Sequence, residues 1–157
     1  MKQFNLNNGT LTLKVKKSPL VVRSIMFVFS FLCFLLPIMG IVMAISIGSK
    51  FHIGFIIVLF LFGLIGFYLL RISLWNTYGK EVIELNEKTV NYEANYGWFK
   101  DGKKTINSDN LNYTIRPIGY EEDKKGVLII NNDDSVIESV VKIPILQLEE
   151  LVKILKN

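Results

Sequence analysis

The side chains best suited to chemistry are two aromatic residues and three lysines in one short polar segment. They are Trp98, Phe99, Lys100, Lys103 and Lys104. The Asp101-Gly102 pair among them is typical of a hairpin turn that needs positive φ, so we expect a hairpin tip there. Such a tip could enter an anionic leaflet, where each lysine contributes about 1 kcal/mol. The alternative is a solvated turn whose two aromatic rings are buried.

Other reactive groups are few. The single cysteine, Cys33, and the single histidine, His52, lie in apolar stretches. They cannot supply the ligand set of an ordinary zinc site. The acidic runs at 121–123 and 133–134 lie in predicted turns, where carboxylates are normally solvated. There is no phosphate-binding glycine loop and no nucleophile elbow. We therefore expect no catalytic residues, no metal, no cofactor and no enzymatic activity.

Two long apolar stretches flank Gly48-Ser49-Lys50. No charged residue occurs from Ser24 to Ile47, and His52 is the one ionisable group between Phe51 and Leu70. A helix of about 20 apolar residues spans the roughly 30 Å of a bilayer's hydrocarbon core. We predict a transmembrane hairpin over residues 24–75, with helices at 24–47 and 51–74. Its spans contain few polar groups, which favours a passive anchor over a transport pathway.

The distribution of charge predicts the topology. Residues 1–23 contain five basic and no acidic residues, whereas residues 76–157 contain 11 basic and 14 acidic residues. Basic residues flank both outer ends of the hairpin, and the loop offers only Lys50, so both termini should be cytoplasmic. We expect a multi-pass protein of the bacterial inner (cytoplasmic) membrane. The basic residues do not cluster on the folded domain, which argues against nucleic acid as a partner.

Small residues recur on one face of each predicted helix and should allow close packing. The residues expected at the helix–helix contact are Cys33, Pro37, Gly40, Ala44, Gly63 and Gly66. The same glycine faces offer a possible route to a homo-oligomer.

The rest of the chain alternates with strand period. Residues 1–23 include a strand at 10–15, and residues 76–157 form a β domain with strands near 81–85, 89–96, 111–115, 127–130 and 136–143. Asp101-Gly102 should turn the chain into one further strand. Pro144 starts an amphipathic helix that carries Leu148 and Leu151. We expect an α+β membrane protein in which this helix closes a small barrel or bent sheet, with 10–15 as a seventh strand.

The order of elements resembles that of bacterial pleckstrin-homology-like (PH-like) domains that follow a pair of membrane spans. The resemblance rests on residues 80–85, 90–92, 97–102, 111–115 and the final helix. It implies a PH-like domain at 76–157 and a binding or scaffolding role without catalysis.

Three functions remain open from the sequence. The first is a non-catalytic membrane-anchored module that binds a protein partner or the membrane surface. The second is an immunity protein that neutralises a membrane-acting toxin. The third is an accessory subunit of a larger membrane complex. The lipid bilayer is an expected partner in all three.

Overall fold

The computed structural model describes residues 2–156 and divides the chain into two compact units. A β unit comprises residues 1–16 and 78–157, and a helical unit comprises residues 17–77. Both boundaries differ from the expected ones at 23/24 and 75/76. The reason is that the helices extend beyond the uncharged stretches, into residues that flank them.

The helical unit contains two long helices, α1 (Leu20–Ser46) and α2 (Ile53–Tyr78). α1 begins directly after Pro19, and α2 ends at Tyr78, directly before Gly79. Both helices are long and apolar enough to cross a membrane, and most of their apolar side chains are exposed. The hydroxyl of Ser30 donates a hydrogen bond of 2.9 Å to the carbonyl of Gly66, so the helices are in direct contact.

The β unit begins with an antiparallel five-stranded sheet in the order β1-β2-β3-β4-β5. Its strands are β1 (Phe4–Asn7), β2 (Thr10–Lys14), β3 (Lys80–Leu85), β4 (Thr89–Asn95) and β5 (Lys100–Asn107). The predicted N-terminal strand is confirmed as β2, which pairs with β3. β1 was not predicted from the sequence. Strands from both ends of the helical pair therefore share one sheet.

A second antiparallel sheet follows, built around β7. Its strands are β6 (Asn112–Ile118), β7 (Lys125–Asn131), β8 (Val136–Glu138) and β9 (Ile143–Pro144). The terminal helix α3 (Ile145–Leu155) buries Leu148 and Leu151 as predicted. Its close approach to β7 is seen at Gly126, where an added Cβ would lie 3.2 Å from Cδ1 of Leu148.

The α+β class is confirmed, whereas a closed barrel is wrong. Within residues 2–156, no strand ladder joins β5 to β6, and the strands form two separate sheets. The core lies on their inner faces. Its side chains include Leu11, Leu13, Ile83, Val90, Ile106, Leu128, Ile130, Ile137 and Ile143.

The predicted turn at Asp101-Gly102 is also wrong. Gly102 does have positive φ, at +67°, but it lies inside β5. The β4–β5 register shifts between Tyr92 and Ala94, which makes Gly102 part of a β-bulge. A glycine with positive φ satisfies a bulge as well as a turn, so the local signal alone does not separate them.

The predicted strand at 136–143 is interrupted. β8 ends at Glu138, and β9 resumes pairing with β7 at Ile143. Between them, the backbone N–H groups of Val140 and Val141 donate to the carboxylate of Glu81 on β3. Because these donors bind a side chain, they do not extend the strand ladder.

Candidate functional site

One end of the five-stranded sheet carries both connections to the helices. Lys14, Lys80, Asn95 and Lys100 form its last row of paired residues. The N–H of Val15 donates to the carbonyl of Gly79, so the two connecting segments run side by side. We call this region the joint end, defined as that row, Lys16 and the β4–β5 turn at residues 96–99.

The β4–β5 turn places Trp98 at its tip. Gly97 adopts φ +93°, and the N–H of Tyr96 donates to the carbonyl of Phe99. Glycine with positive φ at the first central position is typical of a tight two-residue hairpin turn. A Cβ at Gly97 would lie 2.8 Å from that of Tyr78, so the turn packs against the last residue of α2. The turn therefore contains Trp98 and Phe99, but it is centred on Gly97-Trp98 and not on the predicted Asp101-Gly102.

The two aromatic residues of the turn differ in environment. The Phe99 ring stacks on Tyr96, with centroids 4.7 Å apart and an angle of 11° between the planes. Trp98 is 64% exposed. The aromatic pair that was expected to act or be buried together is therefore split.

The lysines of the joint end are unevenly neutralised. The ammonium group of Lys100 lies 3.1 Å from a carboxylate oxygen of Glu93. Among the described residues, no carboxylate forms an ion pair with Lys14, Lys16 or Lys80. Lys14 and Lys80 are direct cross-strand partners, which places two like charges opposite each other.

Lys103 and Lys104 lie away from the joint end. Lys104 pairs with Tyr92, three rows along β4 from Asn95, which corresponds to roughly 10 Å. Both lysines line a shallow groove on the sheet together with Glu84 and Glu93. The five residues expected at one hairpin tip thus occupy two regions.

A buried carboxylate lies one residue from the joint-end row. Glu81 is fully buried and accepts three hydrogen bonds: 2.7 Å from the Tyr92 hydroxyl, 2.5 Å from the Val140 N–H and 3.3 Å from the Val141 N–H. These bonds connect the first sheet to the interrupted strand of the second. All three partners are donors, which is the arrangement that suits an ionised carboxylate.

Burial is the largest influence on the pKa values of Glu81 and Tyr92. Removal from water raises the pKa of Glu81, while the bonds from Tyr92, Val140 and Val141 lower it in part. The pKa of Tyr92 is raised above its ordinary value, first by burial and then by the adjacent Glu81 carboxylate. Glu81 is fully buried, and its hydrogen bonds connect the two sheets.

The residues expected at the helix–helix contact also occupy different environments. A Cβ at Gly66 would lie 2.9 Å from the Phe34 ring and 3.1 Å from Cβ of Cys33. Pro37 is buried, and Ala44 is half-buried. A Cβ added at Gly40 or Gly63 would meet nothing within 4 Å.

A second open groove lies along α3 and β6. It is lined by Ile115, Val152 and Leu146, with Glu149, Glu150, Lys153 and Lys156 around them. Leu146 is 79% exposed despite lying in the first turn of α3. The groove thus presents an apolar strip with charges of both signs at its margin.

Among the side chains that the structure describes, which leave out Glu121, no three His, Cys, Asp or Glu groups come together to form a metal-binding cluster. Asp133 accepts a hydrogen bond from Asn110, and Asp123 lies 4.0 Å from Lys125. These contacts are those of surface loops.

No protein-family model matches the chain, and no curated protein or solved structure matches it.

Sequence reasoning missed two features of the site. The sequence identifies Lys14 and Lys80 only as basic residues that flank the helical hairpin. A local pattern does not reveal that β2 pairs with β3 and makes these two lysines neighbours. Glu81 was missed although it lies in phase with the buried Ile83. A carboxylate at a core-facing strand position is the signal that could have revealed it.

Proposed function

We propose that the chain is an integral membrane protein whose helices anchor a non-catalytic interaction module. In this proposal α1 and α2 cross a bacterial inner membrane, and the β unit and both termini are cytoplasmic. The module binds a protein partner through the β unit, next to the lipid surface.

The observation that carries the proposal is the pairing of β2 with β3. β2 precedes α1 and β3 follows α2, yet their residues pair from Thr10–Glu84 to Lys14–Lys80. Two crossings return the chain to its starting side, so an antiparallel hairpin is compatible with this shared sheet. The exposed apolar side chains of both helices give the second support, since lipid would cover them.

We retain the PH-like fold as a proposal for the β unit, supported by antiparallel strands that end in a packed helix.

Membrane anchoring can be tested by extraction of the full-length chain from membranes of a bacterial host. We expect it to resist alkaline carbonate and to be released by detergent, because the apolar surfaces of both helices require a lipid-like environment. A chain that carbonate releases, and that stays monodisperse without detergent, would contradict the anchor.

Partner binding can be tested with a photo-crosslinking amino acid at Leu146, which lies in the α3–β6 groove. We expect one adduct of discrete mass in cells, whereas the same probe at exposed Lys88 serves as the control. No adduct at Leu146, or the same adducts at both positions, would argue against a protein partner in this groove.

A further inference from the structure

We infer that the joint end of the five-stranded sheet binds the anionic phospholipid headgroups of the membrane. This inference rests on the proposed function, because it requires the helices to lie in a bilayer. It assigns contact to Lys14, Lys16, Lys80 and Trp98, and it removes Lys103 and Lys104 from the contact.

The first argument is unbalanced charge. Lys14 and Lys80 are directly opposite each other on neighbouring strands, where side chains start about 5 Å apart and like charges repel. Neither forms an ion pair with a carboxylate among the described residues. An anionic surface over this row would turn a repulsive pair into two favourable contacts.

The second argument is the length of the connections. Gly79 alone separates α2 from β3, and Lys16 is four residues from the start of α1 at Leu20. Four extended residues span at most about 14 Å. When the helices lie in a bilayer, the row that carries both connections is therefore within reach of the headgroups.

The third argument is the exposed indole. Trp98 is 64% exposed on a turn held by Gly97, while the neighbouring Phe99 is stacked on Tyr96. Indole rings favour the headgroup level of a bilayer, where their apolar body and N–H group are both accommodated. The structure therefore exposes most of this ring at the basic end of the sheet.

The chain has two tryptophans, and the test uses Trp75→Phe so that Trp98 is the one tryptophan whose fluorescence is measured. The full-length chain is reconstituted in nanodiscs of brominated phosphatidylcholine, with and without phosphatidylglycerol. We expect phosphatidylglycerol to shift Trp98 emission to shorter wavelength and to increase its quenching by bromine. In 1 M NaCl the effect should disappear, because the screening length falls to about 3 Å.

Two triple variants locate the contact. Lys14→Gln, Lys16→Gln and Lys80→Gln together should lower the ratio of lipid-bound to free Trp98 about fivefold per lysine, or about a hundredfold in total. The matched control is Lys88→Gln, Lys103→Gln and Lys104→Gln, which removes the same charge from positions outside the joint end. It should retain the effect of phosphatidylglycerol.

The inference would be overturned if Trp98 emission did not change with phosphatidylglycerol or salt. It would also be overturned if both triple variants lost the response to phosphatidylglycerol equally. If the first triple variant does not fold, the lipid and salt comparisons on the unaltered lysines decide the question. A chain that assembles into both kinds of disc without any response to phosphatidylglycerol rejects this inference alone. A chain that does not assemble into discs at all rejects the proposed function.

Discussion

At the residue scale, Glu81 is a carboxylate buried in the core, and its burial is energetically unfavourable. It is fully buried, and its three hydrogen-bond partners are all neutral donors. Burying a carboxylate without a cation is unfavourable, and the bonds compensate for only part of the lost hydration. The raised pKa of Glu81 reflects this balance, with burial as its largest cause.

This balance predicts how stability depends on pH. The pKa of Glu81 is higher in the folded chain than its ordinary value of 4.5, so the folded chain holds an extra proton between those two values. The free energy of unfolding should therefore fall as pH rises from about 4.5 through the raised pKa. Thermal unfolding in detergent should show this decline for the unaltered chain and lose it in Glu81→Gln.

The control is Glu84→Gln, an exposed carboxylate on the same strand, which should leave the decline in place. Glu81→Leu should destabilise at every pH, because it leaves three donors unpaired at about 1–3 kcal/mol each. Equal pH dependence in the unaltered chain and in Glu81→Gln would contradict the role given to this carboxylate.

At the element scale, α1 and α2 touch where Gly66 faces Phe34 and Cys33. We predict that Gly66→Ile destabilises the helix pair by about 1–3 kcal/mol, because the new side chain overpacks this contact. Gly63→Ile is the matched control on the same helix, since a Cβ at Gly63 meets nothing within 4 Å. Thermal unfolding in detergent compares the two variants, and an equal loss in both would contradict this packing.

Much of the element structure is predictable from local pattern. The alternation of Val90, Tyr92 and Ala94 gave β4, and the spacing of Leu148 and Leu151 gave α3. The Asp101-Gly102 pair predicts a turn where the structure has a bulge, because both use a glycine with positive φ. The gap between β8 and β9 was not predictable, since it depends on Glu81, which is distant in sequence.

The candidate site was predictable only in part. Trp98 and Lys100 belong to the joint end, and their neighbourhood in sequence was enough to select them. Lys14 joins them through pairing with Lys80, which no local pattern contains. A turn at Gly102 would place Lys103 and Lys104 beside Trp98. The bulge extends the strand and carries them away from the tip.

At the scale of the whole molecule, the proposed topology can be tested by labelling single cysteines. In a Cys33→Ser background, Ser49→Cys in the α1–α2 loop should react with an impermeant maleimide added to intact spheroplasts. Lys88→Cys in the β unit should react only after lysis, because positive flanks stay in the cytoplasm. Labelling of both before lysis, or of Lys88→Cys alone, would contradict the proposed orientation.

The pairing of β2 with β3 also has a consequence for biosynthesis. In the proposed membrane topology, the ribosome releases β1 and β2 first, and these strands remain without β3 until both apolar helices have been inserted. If only one of the two helices were inserted across the membrane, β2 and β3 would lie on opposite sides of it and could not pair. In the proposed topology, a misthreaded chain would therefore keep an unpaired sheet edge, which is exposed to other chains and to proteases.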